Sequence, residues 1–108
     1  MAAYAARGFR ALARNWRCPI GEIDLVVQRG SLIVVCEVKA RSGVGYGGPY
    51  EAVTATKRRR LRTLAAAFLQ TMPAGLDRRS GFDVRFDVAS VTLDADGRPL
   101  VHLFEDAF

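Results

Sequence analysis

Residues Gly21–Ser42 read GEIDLVVQRGSLIVVCEVKARS, and this stretch decides the fold. Ile23–Gln28 and Leu32–Lys39 are apolar and rich in β-branched residues, with Arg29 and Gly30 between them, so the segment predicts two strands joined by a tight turn. Both faces of this hairpin are apolar over much of their length, which places it inside a sheet with something packed on each side. Asp24, Glu37 and Lys39 interrupt that pattern with charge.

Side chains alternate along a strand, so Glu37 and Lys39 share a face with Ile33 and Val35. A two-residue turn at Arg29 and Gly30 pairs Gln28 with Ser31. It sets Asp24 opposite Val35, diagonal to Glu37 on the same face. A four-residue turn puts Asp24 directly opposite Glu37, whereas a three-residue turn sends the two acids to opposite faces. In the two-residue register the reverse face collects Ile23, Leu25, Val27, Leu32, Val34 and Cys36, and this uniform apolar surface favours the clustered arrangement.

Two carboxylates held close repel each other and need positive charge nearby. Mg²⁺, or Mn²⁺, suits them: it takes hard oxygen ligands, keeps several waters and binds through one or two carboxylates plus a substrate phosphate. Lys39 beside it can orient or help deprotonate a water and offset charge developing on phosphorus. These are the parts needed for phosphodiester hydrolysis. The plainer reading of the same residues is a strand-end salt bridge, with Lys39 neutralising Glu37 and Asp24 making turn contacts.

Upstream, residues 2–13 predict a short amphipathic helix without a cap. Ala5, Phe9 and Leu12 keep helical spacing, and Arg7, Arg10 and Arg14 lie off the stripe. A brief strand over Asn15–Cys18 follows, ended by Pro19. Downstream, the Gly-rich segment SGVGYGGPYEA at 42–52 lacks both the GxxxxGK[ST] and the strand-to-helix GxGxxG patterns, and reads as a mobile connection bordering the site. Thr54 or Thr56 then caps a helix running to about Met72, before Pro73 and Gly75. Its buried face is Leu61, Leu64, Ala65, Phe68 and Leu69. Arg58, Arg59 and Arg62 point sideways or outward, while Lys57 lies one turn before Leu61, nearly on the buried face. Phe82–Leu93 alternates as a long strand, with Phe82, Val84, Phe86 and Val88 on one side and Asp83, Arg85 and Asp87 on the other. A turn over 94–97 leads to a last strand at Pro99–Phe104. The order is one helix, three strands, a second helix and two strands, a mixed α/β arrangement with a helix on at least one sheet face.

The chain has 108 residues, enough for one domain that buries roughly two thirds of its unfolded surface. Sixteen Lys and Arg against 11 Asp and Glu leave a formal charge of +5, which suits a polyanionic partner. Cys18 and Cys36 form no CxxC pair and read as structural thiols, the usual state in a reducing cytoplasm. His102 is the only histidine, which excludes a His-rich metal site and a Ser/His/Asp triad with spare parts; it reads as a strand or surface residue. No apolar run approaches the roughly 20 residues of a membrane span. The opening MAAYAARGFRALARNWR has the Arg- and Ala-rich, acid-free character of a transit peptide, but its helical spacing and its direct run into the domain favour a structural role.

GEIDL, a hairpin and then EVK resemble the PD-(D/E)xK nuclease superfamily. More narrowly, RNWRC from Arg14, GEIDL from Gly21, EVKARS from Glu37, EAVTATKRRRL from Glu51 and RFDV from Arg85 resemble the YraN-like family, related to Holliday-junction resolvases. The resemblance covers nearly the whole chain. It implies a restriction-endonuclease-like core: a mixed sheet with an antiparallel three-stranded meander, flanking helices and a further long strand. It also implies a Mg²⁺-dependent endonuclease acting on DNA, branched or otherwise structured DNA included, in which Asp24 and Glu37 hold metal and Lys39 is the catalytic lysine. Glu22 is an auxiliary acid in that scheme and a solvated strand-start residue in the plainer one. Lys57, Arg58, Arg59 and Arg62 would contact the DNA backbone without reading sequence, or simply form a solvated helix face. Relatives of this kind begin with a longer first helix that carries a Gly-Glu pair and often contributes an acid to the site, so this chain's first helix is shortened by comparison. Related nucleases often act as homodimers. Two other readings fit the same residues: a noncatalytic nucleic-acid-binding module on a degenerate nuclease fold, and a protein-interaction factor.

Overall fold

The strand pair expected at the centre forms as β2 (Gly21–Arg29) and β3 (Leu32–Ala40), antiparallel, in a computed structural model that describes residues 1–40, 55–72 and 81–108. Its register differs from the two-residue turn at Arg29–Gly30. Arg29 pairs with Leu32 and Leu25 with Cys36, so the turn is Gly30–Ser31. Gly30 takes the left-handed φ of 59° that such a turn requires, with open space where a Cβ would stand. Continuing the register one step sets Asp24 directly opposite Glu37.

The remaining elements are α1 (Ala2–Ala5), β1 (Arg10–Cys18), α2 (Ala55–Gln70), β4 (Asp83–Leu93) and β5 (Pro99–Phe104). One five-stranded sheet runs in the order β1-β2-β3-β4-β5. β1, β2 and β3 form an antiparallel meander, β3 and β4 are parallel, and β5 returns antiparallel to β4. The parallel step requires a long crossover, and α2 is that crossover. The Gly-rich segment at 42–52, Thr54, Pro73 and Gly75 lie outside the described residues.

The first helix is far shorter than its amphipathic pattern predicts. It stops at Ala5; Gly8 adopts φ 84°, and from Arg10 the chain becomes a nine-residue strand rather than the brief Asn15–Cys18 segment. Helix propensity differs by only tenths of a kcal/mol per residue among these types, whereas pairing with β2 satisfies the backbone of the whole segment and packs Leu12, Ala13 and Trp16 on the α2 side. A bulge between Ala11 and Ala13 and a left-handed Asn15 (φ 49°) make this possible. The opposite strand follows suit. Ile23 and Val26, three residues apart, both join the α2-side core, so Ile23 leaves the apolar face that strict alternation assigns it to.

The α2-side core packs Leu61, Leu64, Ala65, Phe68 and Met72 onto Ile23, Val26, Ile33 and Val35, with Trp16 edge-on to Phe68 at 5.5 Å. Gly21 runs beneath the helix: a Cβ there would meet Leu64 at 3.5 Å. On the other sheet face, Tyr4 and Phe9 cover Leu25, Val27, Val34, Cys36 and Ala89. This second cover is small, and Val38 and Val101 remain exposed.

Asp87 is fully buried on β4 and locks the ends of the chain together. It accepts hydrogen bonds from the Tyr4 hydroxyl (2.7 Å), from Arg85 Nε and Nη2 (both 2.9 Å) and from the Asp106 backbone N–H (3.0 Å). Every lone-pair direction that matters is met, so the buried carboxylate is tolerated. The raised pKa of Arg85 follows first from its hydrogen bond to Asp87.

Candidate functional site

Asp24, Glu37, Lys39 and Lys57 come together where β3 ends and α2 begins. A parallel β3–α2–β4 unit brings the first turn of the crossover helix back toward the C-terminal end of the preceding strand, the usual place for ligands in sheets of this kind. Glu37 and Lys39 follow Ile33 and Val35 along the helix-facing side of β3, as alternation requires. Deeper along the strand that side is core; at its end it opens, and the charges begin.

Glu37 is the centre of the group, its side chain 12% exposed. Its Oε1 takes Lys39 Nζ at 3.1 Å and, closer still, Lys57 Nζ from α2. Asp24 is turned toward β3 rather than across the sheet: its Oδ2 accepts the Val38 N–H at 2.8 Å. The β2–β3 ladder ends at Leu25 and Cys36, so the Asp24 side chain supplies the acceptor that a backbone carbonyl would otherwise give. Burial works against the Lys57 charge, yet the hydrogen bond to Glu37 and the pull of Glu37 and Asp24 outweigh it and raise its pKa. Lys57 therefore feels both acids.

Glu22 takes a different direction. It is exposed and pairs with Arg17 of β1 at 3.3 Å, the residue directly opposite it. The three-residue spacing between Ile23 and Val26 breaks the alternation that would have carried Glu22 to the Asp24 side. Among the described residues, no three His, Cys, Asp or Glu side chains converge to hold a metal ion. A cation here would rest on the carboxylates of Asp24 and Glu37, and at Glu37 it would meet the Oε1 that Lys39 and Lys57 share. Two carboxylates are hard oxygen donors that suit a cation retaining several waters, so the donor set is compatible with Mg²⁺ or Mn²⁺.

The basic run divides by role. Lys57 enters the acidic group. Arg58 and Arg62 turn back along the helix and lie over the rings of Phe108 and Phe86, at 5.8 Å each. Arg59 is exposed and bonds Thr56 (3.4 Å), one turn back. Arg60, absent from the residues expected to meet DNA, is exposed beside Gly21 at the β1–β2 turn. Four consecutive cations at a helix N-terminus oppose the helix dipole and one another, and the first turn contains no acid to offset them. Such an arrangement costs stability unless an anion docks there.

Sequence reasoning placed Lys57 among backbone contacts and missed its approach to Glu37. The available signal was its position one turn before Leu61 on the buried side. Asp87 was read only as one of the residues, with Asp83 and Arg85, on the side of the strand opposite Phe86 and Val88.

The architecture and the acid–lysine group define a class: a small mixed α/β domain with a cluster of charged side chains at the end of a parallel strand pair. The profile of the family described as "Uncharacterised protein family UPF0102" matches residues 1–91. A UPF0102 protein of Clavibacter michiganensis subsp. michiganensis is 46% identical over 101 residues, covering 94% of this chain and 81% of that protein. One from Acidothermus cellulolyticus is 44% identical over 106 residues, covering 94% and 80%. Another, from Moorella thermoacetica, is 49% identical over 94 residues, covering 87% and 74%. The chain belongs to the UPF0102 family.

Proposed function

We propose that this protein is a metal-dependent endonuclease of the PD-(D/E)xK kind, with a restriction-endonuclease-like core, that hydrolyses phosphodiester bonds in DNA, branched DNA included. The observation that carries the reading is the meeting of Asp24, Glu37 and Lys39 at the end of β3, on a domain whose crossover helix opens with four cations. Asp24 and Glu37 would hold Mg²⁺ or Mn²⁺. When bound, such an ion polarises a phosphoryl oxygen and acidifies water. Lys39 Nζ, kept in place by Glu37, would hold the attacking water or steady the charge that grows on the phosphate. Arg59 and Arg60, both exposed, would engage phosphates, contacts that fix the substrate's position without reading its bases. Arg58 and Arg62, stacked on Phe108 and Phe86, stiffen the helix face behind them.

The test is nicking of supercoiled and four-way-junction DNA with Mg²⁺, comparing wild type with Asp24→Ala, Glu37→Ala and Lys39→Ala. Cleavage should require the metal and be lost in all three variants. Cleavage that persists without metal, or in all three, rejects the reading.

A second reading draws on the ion pairs themselves: Lys39 and Lys57 already neutralise Glu37, as suits a nucleic-acid-binding module without turnover. It predicts binding that weakens by roughly 0.9 log units per log unit of salt for each phosphate neutralised on duplex DNA. Salt-sensitive binding with no cleavage selects it.

A further inference from the structure

Lys57 is the unexpected member of the acidic group. It comes from α2 and its Nζ sits against the same Glu37 oxygen that Lys39 reaches from two residues along β3. One carboxylate oxygen thus faces two ammonium groups, and Asp24 adds to the pull on Lys57. A divalent cation on that oxygen would stand in contact with two like charges, an arrangement electrostatics does not permit without a departure. Lys39 is held on the strand beside Glu37. Lys57 belongs to a separate element, has a long flexible stem, and is about a third exposed, with 31% of its side chain accessible, so it can withdraw into solvent with the helix unchanged.

We propose that Lys57 is the resident counter-ion of this site, occupying the Glu37 oxygen that a divalent cation takes, so that cation binding and the Lys57–Glu37 pair exclude each other. The proposal rests on the metal-site reading above and adds a residue that sets the cation's affinity. In the metal-free protein Lys57 keeps Glu37 oriented and its charge balanced. On cation binding its ammonium is released at the mouth of the site, beside Arg59 and Arg60, where a phosphate would meet it.

The experiment measures Mn²⁺ binding alone, by calorimetry on the full chain, for wild type, Lys57→Gln, Lys57→Arg and Glu37→Gln. Removing the competing charge should tighten Mn²⁺ binding by roughly two- to fivefold, the range of a partly exposed ion pair. Lys57→Arg should stay near wild type and Glu37→Gln should bind no Mn²⁺ at the site. A second readout needs no substitution: acylation of the Lys57 amine, mapped by mass spectrometry, should rise when Mn²⁺ is added to wild type. Equal affinity of wild type and Lys57→Gln, or unchanged acylation, overturns the counter-ion role and leaves the metal reading standing. Absence of Mn²⁺ binding in both proteins overturns the two together.

Discussion

Two acids stand on neighbouring strands and meet opposite fates. Asp87 on β4 is fully buried and receives four hydrogen bonds from Tyr4, Arg85 and Asp106. Glu37 on β3, paired in register with Val88, the next residue along β4, turns to the other face and, among the described residues, meets the ammonium groups of Lys39 and Lys57. The saturated carboxylate joins elements that are far apart in the chain. The other is held by lysine ammonium groups at the end of β3, and both of those side chains reach solvent. Local chemistry is similar in the two places; completeness of hydrogen bonding separates a structural acid from one able to receive a ligand.

The strongest way to break this contrast is Asp87→Ala. It strips the acceptor from Tyr4, Arg85 and the Asp106 N–H at once, and urea denaturation should show a loss of about 3–5 kcal/mol. A loss under about 1 kcal/mol would mean that Asp87 is no more structural than Glu37.

A second comparison uses pH. Burial, with Asp87 nearby, pushes the Cys36 thiol up to about 11 from 9.0, and burial beside Cys36 and Asp87 also drives the Tyr4 hydroxyl far above its ordinary range. Because the folded values lie above those of the unfolded chain, this contribution is complete below about pH 9. It is lost as pH rises toward 11 and beyond, since the unfolded chain ionises first. Cys36 alone accounts for about 2–3 kcal/mol of that loss. The pH slope of stability between 9 and 11 should flatten in Cys36→Ala, and an unchanged slope would sink the assignment.

Smaller effects are expected at the candidate site. Asp24→Ala removes the acceptor of the Val38 N–H and should cost about 1 kcal/mol, while abolishing Mn²⁺ binding. Glu37→Gln should change stability by less than about 1 kcal/mol, because its partners are exposed enough to return to water. Metal binding should nonetheless vanish. A large stability loss at Glu37 would place it with Asp87 and weaken the functional reading.

The hairpin, α2, β4 and β5 were legible in the residues because period-two and 3.6-residue patterns report burial directly. Pro99–Phe104 and Asp83–Leu93 fall within one residue of expectation. The first helix was not legible: Ala5, Phe9 and Leu12 fit a helical stripe, yet Gly8 and the pairing of β1 with β2 overrule it. Of the two readings of Glu22, the solvated strand-start residue agrees with its exposure and its pairing with Arg17, while the shared face with Asp24 was not legible for a related reason. Its face depends on irregularities opposite Asn15 in a neighbouring strand, which no periodicity within β2 can reveal.

The order of elements, the face shared by Glu37 and Lys39, and the basic character of α2 follow from the sequence by itself, since each depends on local repeat and residue type. Tertiary structure alone decided that Asp24 caps Val38, that Lys57 reaches Glu37, and that Asp87 rather than Glu37 is sealed. Those outcomes depend on how separate elements register against one another, and cross-strand and helix–sheet distances are set by packing of the whole core.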